Sequence, residues 1–144
     1  MRIREFGDRD LAAVMALWRA CDLTRPWNPP ERDIEFCRSS AHAKLFVAEA
    51  QGCIVGSIMV GHDGHRGWVY YVAVDPSHRR DGLGRALMDR AERFLTDAGV
   101  PKVMLLIRET NTPVADFYSR LGYVPEPRVL MTKWLRDAGK DPGR

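Results

Sequence analysis

Long apolar runs are missing from this chain, and so is any strong excess of one charge. The longest apolar stretches, such as residues 103–107, fall far short of a bilayer span, which needs roughly 20 apolar residues. No membrane partner is expected. Cysteine is scarce: Cys21, Cys37 and Cys53 are odd in number and lack close pairs. That excludes a disulfide framework or a zinc cluster and suits buried thiols in a reducing compartment. The net charge is only +3 and most arginines are scattered among acids, so there is no basic stripe for nucleic acid. The first residues, Met1-Arg2-Ile3-Arg4-Glu5, enter patterned sequence with no apolar leader. A cytoplasmic protein is expected. Repeats and low-complexity linkers are also absent, and 144 residues make one ordinary domain. That domain is expected over residues 1–136, with a polar tail at 137–144.

What is present is an alternation of strand-like and helical patterning. Ile3 and Phe6 mark a short first strand. Asp8 is placed to cap a helix reaching about Ala20, with Leu11, Val14, Met15 and Trp18 on one face. After a proline-stiffened loop, Asn28 and Glu31 with Pro29 at the first helical position open a second helix to about Ser39. Residues 44–50 and 53–60 read as a hairpin across Gln51-Gly52. A strand follows over 68–74, then a helix from Gly82 that Gly99 ends. Residues 102–108 are apolar enough for a central strand. Thr112-Pro113 opens a short helix stopped by Gly122, and residues 123–124 and 129–134 are expected as two last strands. Antiparallel strands first and βα units later predict an α/β fold, with a mixed sheet covered by helices.

The most informative segment joins the 68–74 strand to the helix after it. His78-Arg79-Arg80-Asp81-Gly82-Leu83-Gly84-Arg85 puts glycines and arginines where a strand becomes a helix. Glycine permits φ > 0 and close backbone approach. The first helical turn leaves N–H groups unpaired, and the macrodipole favours an anion there. No Gly-Lys-Ser/Thr follows, so this is not a P-loop, and the three-glycine dinucleotide fingerprint is incomplete. Taken alone, the string serves equally as a tight strand-to-helix turn with solvated arginines.

The turn does not stand alone. Val72-Ala73-Val74-Asp75-Pro76 precedes it, and Asn111, Ala115-Asp116-Phe117-Tyr118 and Leu121-Gly122-Tyr123 follow. Together these resemble the GNAT N-acetyltransferase superfamily over essentially the whole chain. Arg25-Pro26-Trp27-Asn28 and Asp63-Gly64-His65-Arg66-Gly67 look more narrowly like the small bacterial YpeA-type acetyltransferases. The resemblance implies a GNAT-like acyl-CoA N-acyltransferase fold with a mostly antiparallel central sheet. It also implies acetyl-CoA as cosubstrate, with the pyrophosphate on the amides from Arg80 to Arg85. Arg79, Asp81, Gly82, Leu83 and Gly84 belong to the same turn. The pantetheine arm would pair with Val72, Ala73 and Val74, where a bulge splays the strand. Tyr118 matches the tyrosine that protonates the departing sulfur, and Asn111 the asparagine near the pantetheine; packing and helix capping are their plainer roles.

The acceptor side is less defined. Ribosomal-protein acetylases of the superfamily carry a glutamate early in the central strand, where this chain aligns Arg66. Glu109, Asp63, His62 and His65 are the remaining candidates for a base. His62 and His65 flank Asp63, but two histidines without a firm third ligand point to no metal. Arg25, Trp27 and Asn28 lie in the loop that borders the acceptor cleft in this superfamily; Trp27 serves equally as a core plug. Tyr70 and Tyr71 alternate along their strand, so only one is expected to face the cleft, and Tyr70 is taken with Asp63 and His65 as lining it. The expected activity moves an acetyl group to a primary amine, small-molecule or peptide. The alternatives are a protein N-terminal or lysine acetylase, and a non-catalytic acyl-CoA sensor. The last strand offers an edge for a homodimer.

Overall fold

The computed structural model describes residues 1–136, so the expected tail at 137–144 lies outside the described residues. The chain falls into two compact units, one spanning Met1–Leu105 and one beginning at Leu106.

The first unit is built on a mixed five-stranded sheet in the order β1-β2-β3-β4-β5. The strands are β1 (Arg2–Glu5), β2 (Ala43–Ala50), β3 (Cys53–His62), β4 (Gly67–Val74) and β5 (Val103–Met104). The first three pairings are antiparallel and β4–β5 is parallel. Gln51 and Gly52 both take positive φ, 51° and 79°, the twist that a two-residue hairpin between right-twisted strands requires.

Helices α1 (Leu11–Ala20) and α2 (Pro30–Arg38) cover one sheet face, where Val14, Leu17, Trp18, Ile34 and Cys37 pack on Leu45, Val47 and Ala73. Helix α3 (Leu83–Asp97) lies on the other, burying Leu83, Leu87, Met88, Ala91 and Leu95. Gly56 and Gly67 let it come close: a Cβ at Gly67 would sit 2.5 Å from Leu95 Cδ1. The second unit contains α4 (Thr112–Arg120), followed by Gly122 at φ 93°.

Several boundaries differ from expectation. A short 3-10 turn (Asp8–Asp10) precedes α1, and Asp10, not Asp8, holds it by accepting the Gly7 N–H at 2.8 Å. Asp8 instead pairs with Arg38. Leu17, not Leu11, completes the buried stripe of α1. Pro30 rather than Pro29 is the first residue of α2, so Pro29 takes the N-cap position and Asn28 stands one residue outside it. The apolar run at 102–108 gives a strand of two residues at the sheet edge, not a central one. Its parallel ladder with β4 involves Gly67 and Trp68 alone. Residues 123–124 and 129–134 form no strand; Val129 and Met131 are exposed. Pro125 and Pro127 remove two ladder donors just ahead of the second run.

Candidate active site

The site begins with an irregularity in β4. Met59 pairs with Tyr70 and Ser57 with Ala73, so β4 carries one residue more than β3 across this stretch. Tyr71 absorbs the bulge at φ 52°, a conformation a bulky residue holds only when its surroundings insist. They do. Fully buried Ser57 donates its hydroxyl to the Tyr71 carbonyl at 2.8 Å and accepts the Trp18 indole N–H at 2.8 Å. The Trp18 ring stacks on the Tyr71 ring with centroids 3.8 Å apart. The bulge breaks strand alternation, so Tyr70 and Tyr71 line the same cavity. The expectation that only one of them faces the cleft is thereby corrected.

Beyond the bulge, β4 has a free edge. β5 pairs only with Gly67 and Trp68, leaving residues 69–74 without a ladder on that side among the described residues. Val72 has no partner on β3 either. The strand then runs into a 3-10 turn (Pro76–His78), where Asp75 accepts the Ser77 N–H at 2.9 Å. Arg79 folds back to donate to the Val74 carbonyl at 3.3 Å, leaving Arg80, Asp81 and Arg85 exposed. Arg80 and Gly82 take φ of 75° and 78°. The first α3 bond runs from the Ala86 N–H to the Gly82 carbonyl. Leu83, Gly84 and Arg85 therefore present amides with no partner inside the helix.

A cavity of about 830 Å³ opens between α2 and the β3–β4 ladder. On its wall Asp33 Oδ2 accepts the Tyr71 hydroxyl at 2.5 Å and the Asn28 amide at 2.7 Å. Burial, with the Asp33 carboxylate beside it, pushes the Tyr71 phenol well above its ordinary value, so it stays a donor. Trp68 stacks over Tyr70 on the same wall, with centroids 6.4 Å apart.

Of the acceptor-side residues expected from sequence, Asn28, His62, Asp63 and Tyr70 line this cavity together. Asp63 is held well below the usual carboxylate range by the backbone N–H groups of Arg66 and His65, which it accepts at 2.8 and 2.9 Å. His65 points elsewhere and is exposed. Arg25 bonds the carbonyls of Asp22 and Thr24, and Trp27 is half-buried in the same loop, neither core nor cavity wall. In the second unit, Glu109 stands exposed in a turn before α4. Asn111 precedes that helix without a side-chain cap bond. Tyr118 is buried between Phe117 and Tyr123, with ring centroids 5.0 and 5.7 Å away. Burial pushes its phenol up to about 12. Among the described residues no group of three or more His, Cys, Asp or Glu could hold a metal ion, and no helix is long and apolar enough to cross a membrane.

Residues 12–123 match the Acetyltransferase (GNAT) family. The chain belongs to that family. An acetyltransferase from Pectobacterium atrosepticum is 47% identical over 135 residues, covering 94% of this chain and 96% of the relative. One from Yersinia enterocolitica is 43% identical with the same coverage. The GNAT fold is matched by the solved aminoglycoside N-acetyltransferase AAC(6')-Iy, complexed with a bisubstrate analogue of CoA. Its TM-score is 0.77 at 20% identity, over 92% of this chain and 97% of that one. Family membership makes the protein an N-acetyltransferase.

In this GNAT chain, sequence reasoning missed Asp33, Ser57 and Trp68, and it weighed Tyr71 only as the alternative to Tyr70. Asp33 lies one turn before buried Cys37, so the helical wheel already turned it inward. Ser57 interrupts the otherwise apolar centre of its strand.

Proposed function

We propose that the protein transfers acetyl from acetyl-CoA directly to a primary amine. The observation that carries this is the run from the free edge of bulged β4 to the three amides opening α3 that have no partner inside the helix. An amide-bearing arm can pair with such an edge as an added strand, and a diphosphate suits the helix N-terminus. Side chains fit as well: Gly82 and Gly84 put no Cβ between the backbone and an anion, and Arg80 and Arg85 are exposed beside them.

Coenzyme A, when bound, supplies the acetyl group as an activated thioester. Main-chain N–H groups at Val72 and Val74 orient the carbonyl and take up developing negative charge, as fixed donors do in other acyl transfers. Holding amine and thioester together supplies much of the rate, so no acyl-enzyme is required. The amine attacks as the free base: a C–N bond forms as the C–S bond breaks, and the surplus proton on nitrogen passes to solvent water. Tyr118 gives its phenol proton to the departing sulfur, since burial keeps that phenol protonated across the working pH range.

The test is titration calorimetry with acetyl-CoA, joined to a free-thiol assay over pooled amines and peptides. Binding with amine-dependent thiol release is expected. Gly82→Trp should abolish both, because the indole would fill the anion position and φ 78° strains any side chain. No affinity for acetyl-CoA at millimolar concentration would overturn the proposal, and tight binding without thiol release would favour a sensor.

A further inference from the structure

The cavity under α2 carries its own chemical signature. Its acidic side chains are Asp33 and Asp63, His62 also lines it, and no lysine or arginine is among its described lining residues. Both hydrogen bonds to Asp33 land on Oδ2, and Oδ1 receives none among the described residues. The rest of the wall is largely aromatic and aliphatic, with Trp68, Tyr70 and Met59 on the sheet side. On the helix side Phe36 is 80% exposed, an uncovered ring on the lip of a concave site.

These features sort acceptors by charge and surface. A carboxylate or phosphate on the acceptor would meet two acidic side chains and no lysine or arginine, with His62 the one basic side chain among the described lining residues, an unfavourable arrangement. A polyhydroxylated polycation would face ring carbons with most of its hydroxyls, leaving them without partners. An ammonium finds an open carboxylate oxygen and aromatic faces, both attractive to it. An apolar body would cover Phe36 and displace water from the ring wall.

We propose that this cavity selects a small primary amine with one positive charge and an aromatic or branched aliphatic body. The amine docks as its ammonium on Asp33 Oδ1 and releases one proton to solvent water before it attacks as the free base, while the body lies against Trp68, Tyr70 and Phe36. Asn28 and the Tyr71 hydroxyl are positioning groups that fix the carboxylate by its other oxygen. The role of Asp33 is recognition; no covalent bond changes there. This rests on the acetyltransferase reading for its biological sense, though the cavity chemistry can be tested without the donor.

The experiment compares 2-phenylethylamine, ethylamine, neamine and glucosamine 6-phosphate on the full chain. Binding is read by calorimetry without acetyl-CoA, and turnover by thiol release with it. The expected kcat/KM for 2-phenylethylamine exceeds the other three by about tenfold or more, the scale of one charge-assisted bond plus ring contact. Asp33→Asn should weaken 2-phenylethylamine binding about tenfold and raise KM far more than it lowers kcat. Unchanged affinity for acetyl-CoA would report that this variant is folded. Phe36→Ser, at an exposed position the fold does not need, should weaken the same amine and narrow its lead over ethylamine. Preference for neamine or the sugar phosphate, or native-like amine binding in both variants, overturns the proposal. A chain that binds acetyl-CoA but none of the four amines overturns it too, and leaves the acetyl-CoA reading standing. Selective binding of 2-phenylethylamine without any affinity for acetyl-CoA supports the cavity assignment and removes the reaction instead.

Discussion

Ser57→Ala tests whether the β4 bulge is held by the side chain behind it. The hydroxyl joins two buried groups, the Trp18 indole N–H and the Tyr71 carbonyl, each at 2.8 Å. Alanine leaves both without that partner and adds no volume with which to compensate. A buried polar group left unsatisfied costs about 1–3 kcal/mol, so the pair should cost about 3 kcal/mol. With about 2.1 cal/mol/K of unfolding entropy per residue, 144 residues convert that to a melting temperature lower by about 10 °C. Thermal melting by circular dichroism reads it directly. Because Tyr71 forms the bulge and also bonds Asp33, kcat/KM for the acceptor should fall as well, beyond what lost stability explains at 20 °C. Trp18→Phe keeps the Ser57–Tyr71 bond, so the double variant should be less destabilised than the sum of the singles. A melting temperature within about 2 °C of native, with unchanged kinetics, would refute the reasoning.

Other consequences are open to measurement. Tyr118→Phe should lower turnover by about 10²-fold or more, the range of a general acid, while affinity for acetyl-CoA stays within a few-fold; since burial raises the native phenol to about 12, phenol ionisation should cause no alkaline fall in rate below about pH 10. Asp10 is depressed by its bond to Arg4 at 2.7 Å, so the stability it contributes is fully present above the unfolded carboxylate range and is lost as pH falls through the folded value. Asp10→Asn should remove that acid-side dependence and cost about 2 kcal/mol at neutral pH, read by urea melts at several pH values. Iodoacetamide should label exposed Cys53 first; buried Cys37, whose thiol burial pushes up to about 11, should react only on unfolding, as peptide mass mapping would show.

Legibility from sequence followed the range of the forces involved. The Gln51-Gly52 hairpin, the α3 stripe and the Gly82 turn are local, and each appears where the pattern placed it. The strand at 102–108 shrank to two residues because its length depended on pairing with β4, remote in sequence, and that pairing extends over Gly67 and Trp68 alone. Tyr71 was misread for a related reason: alternation assumes an unbroken pleat, and the break is enforced by Ser57 and Trp18 from other elements. Asn28 was recognised as a loop residue of interest but assigned a cap, whereas the helix starts one residue later, at Pro30, and the Asn28 amide N–H goes to Asp33. Asp33 went unnoticed because a carboxylate in a helix is ordinarily solvated.

Tyr71 belongs at once to the backbone kink and to the chamber wall. Its ring cannot be exchanged to suit a new acceptor without disturbing the bulged strand that carries it. Phe36 has no such double duty, standing on the outer turn of α2 with most of its surface in water. Changes of diet in this lineage should therefore be written on that helix, leaving the kinked strand as inherited hardware.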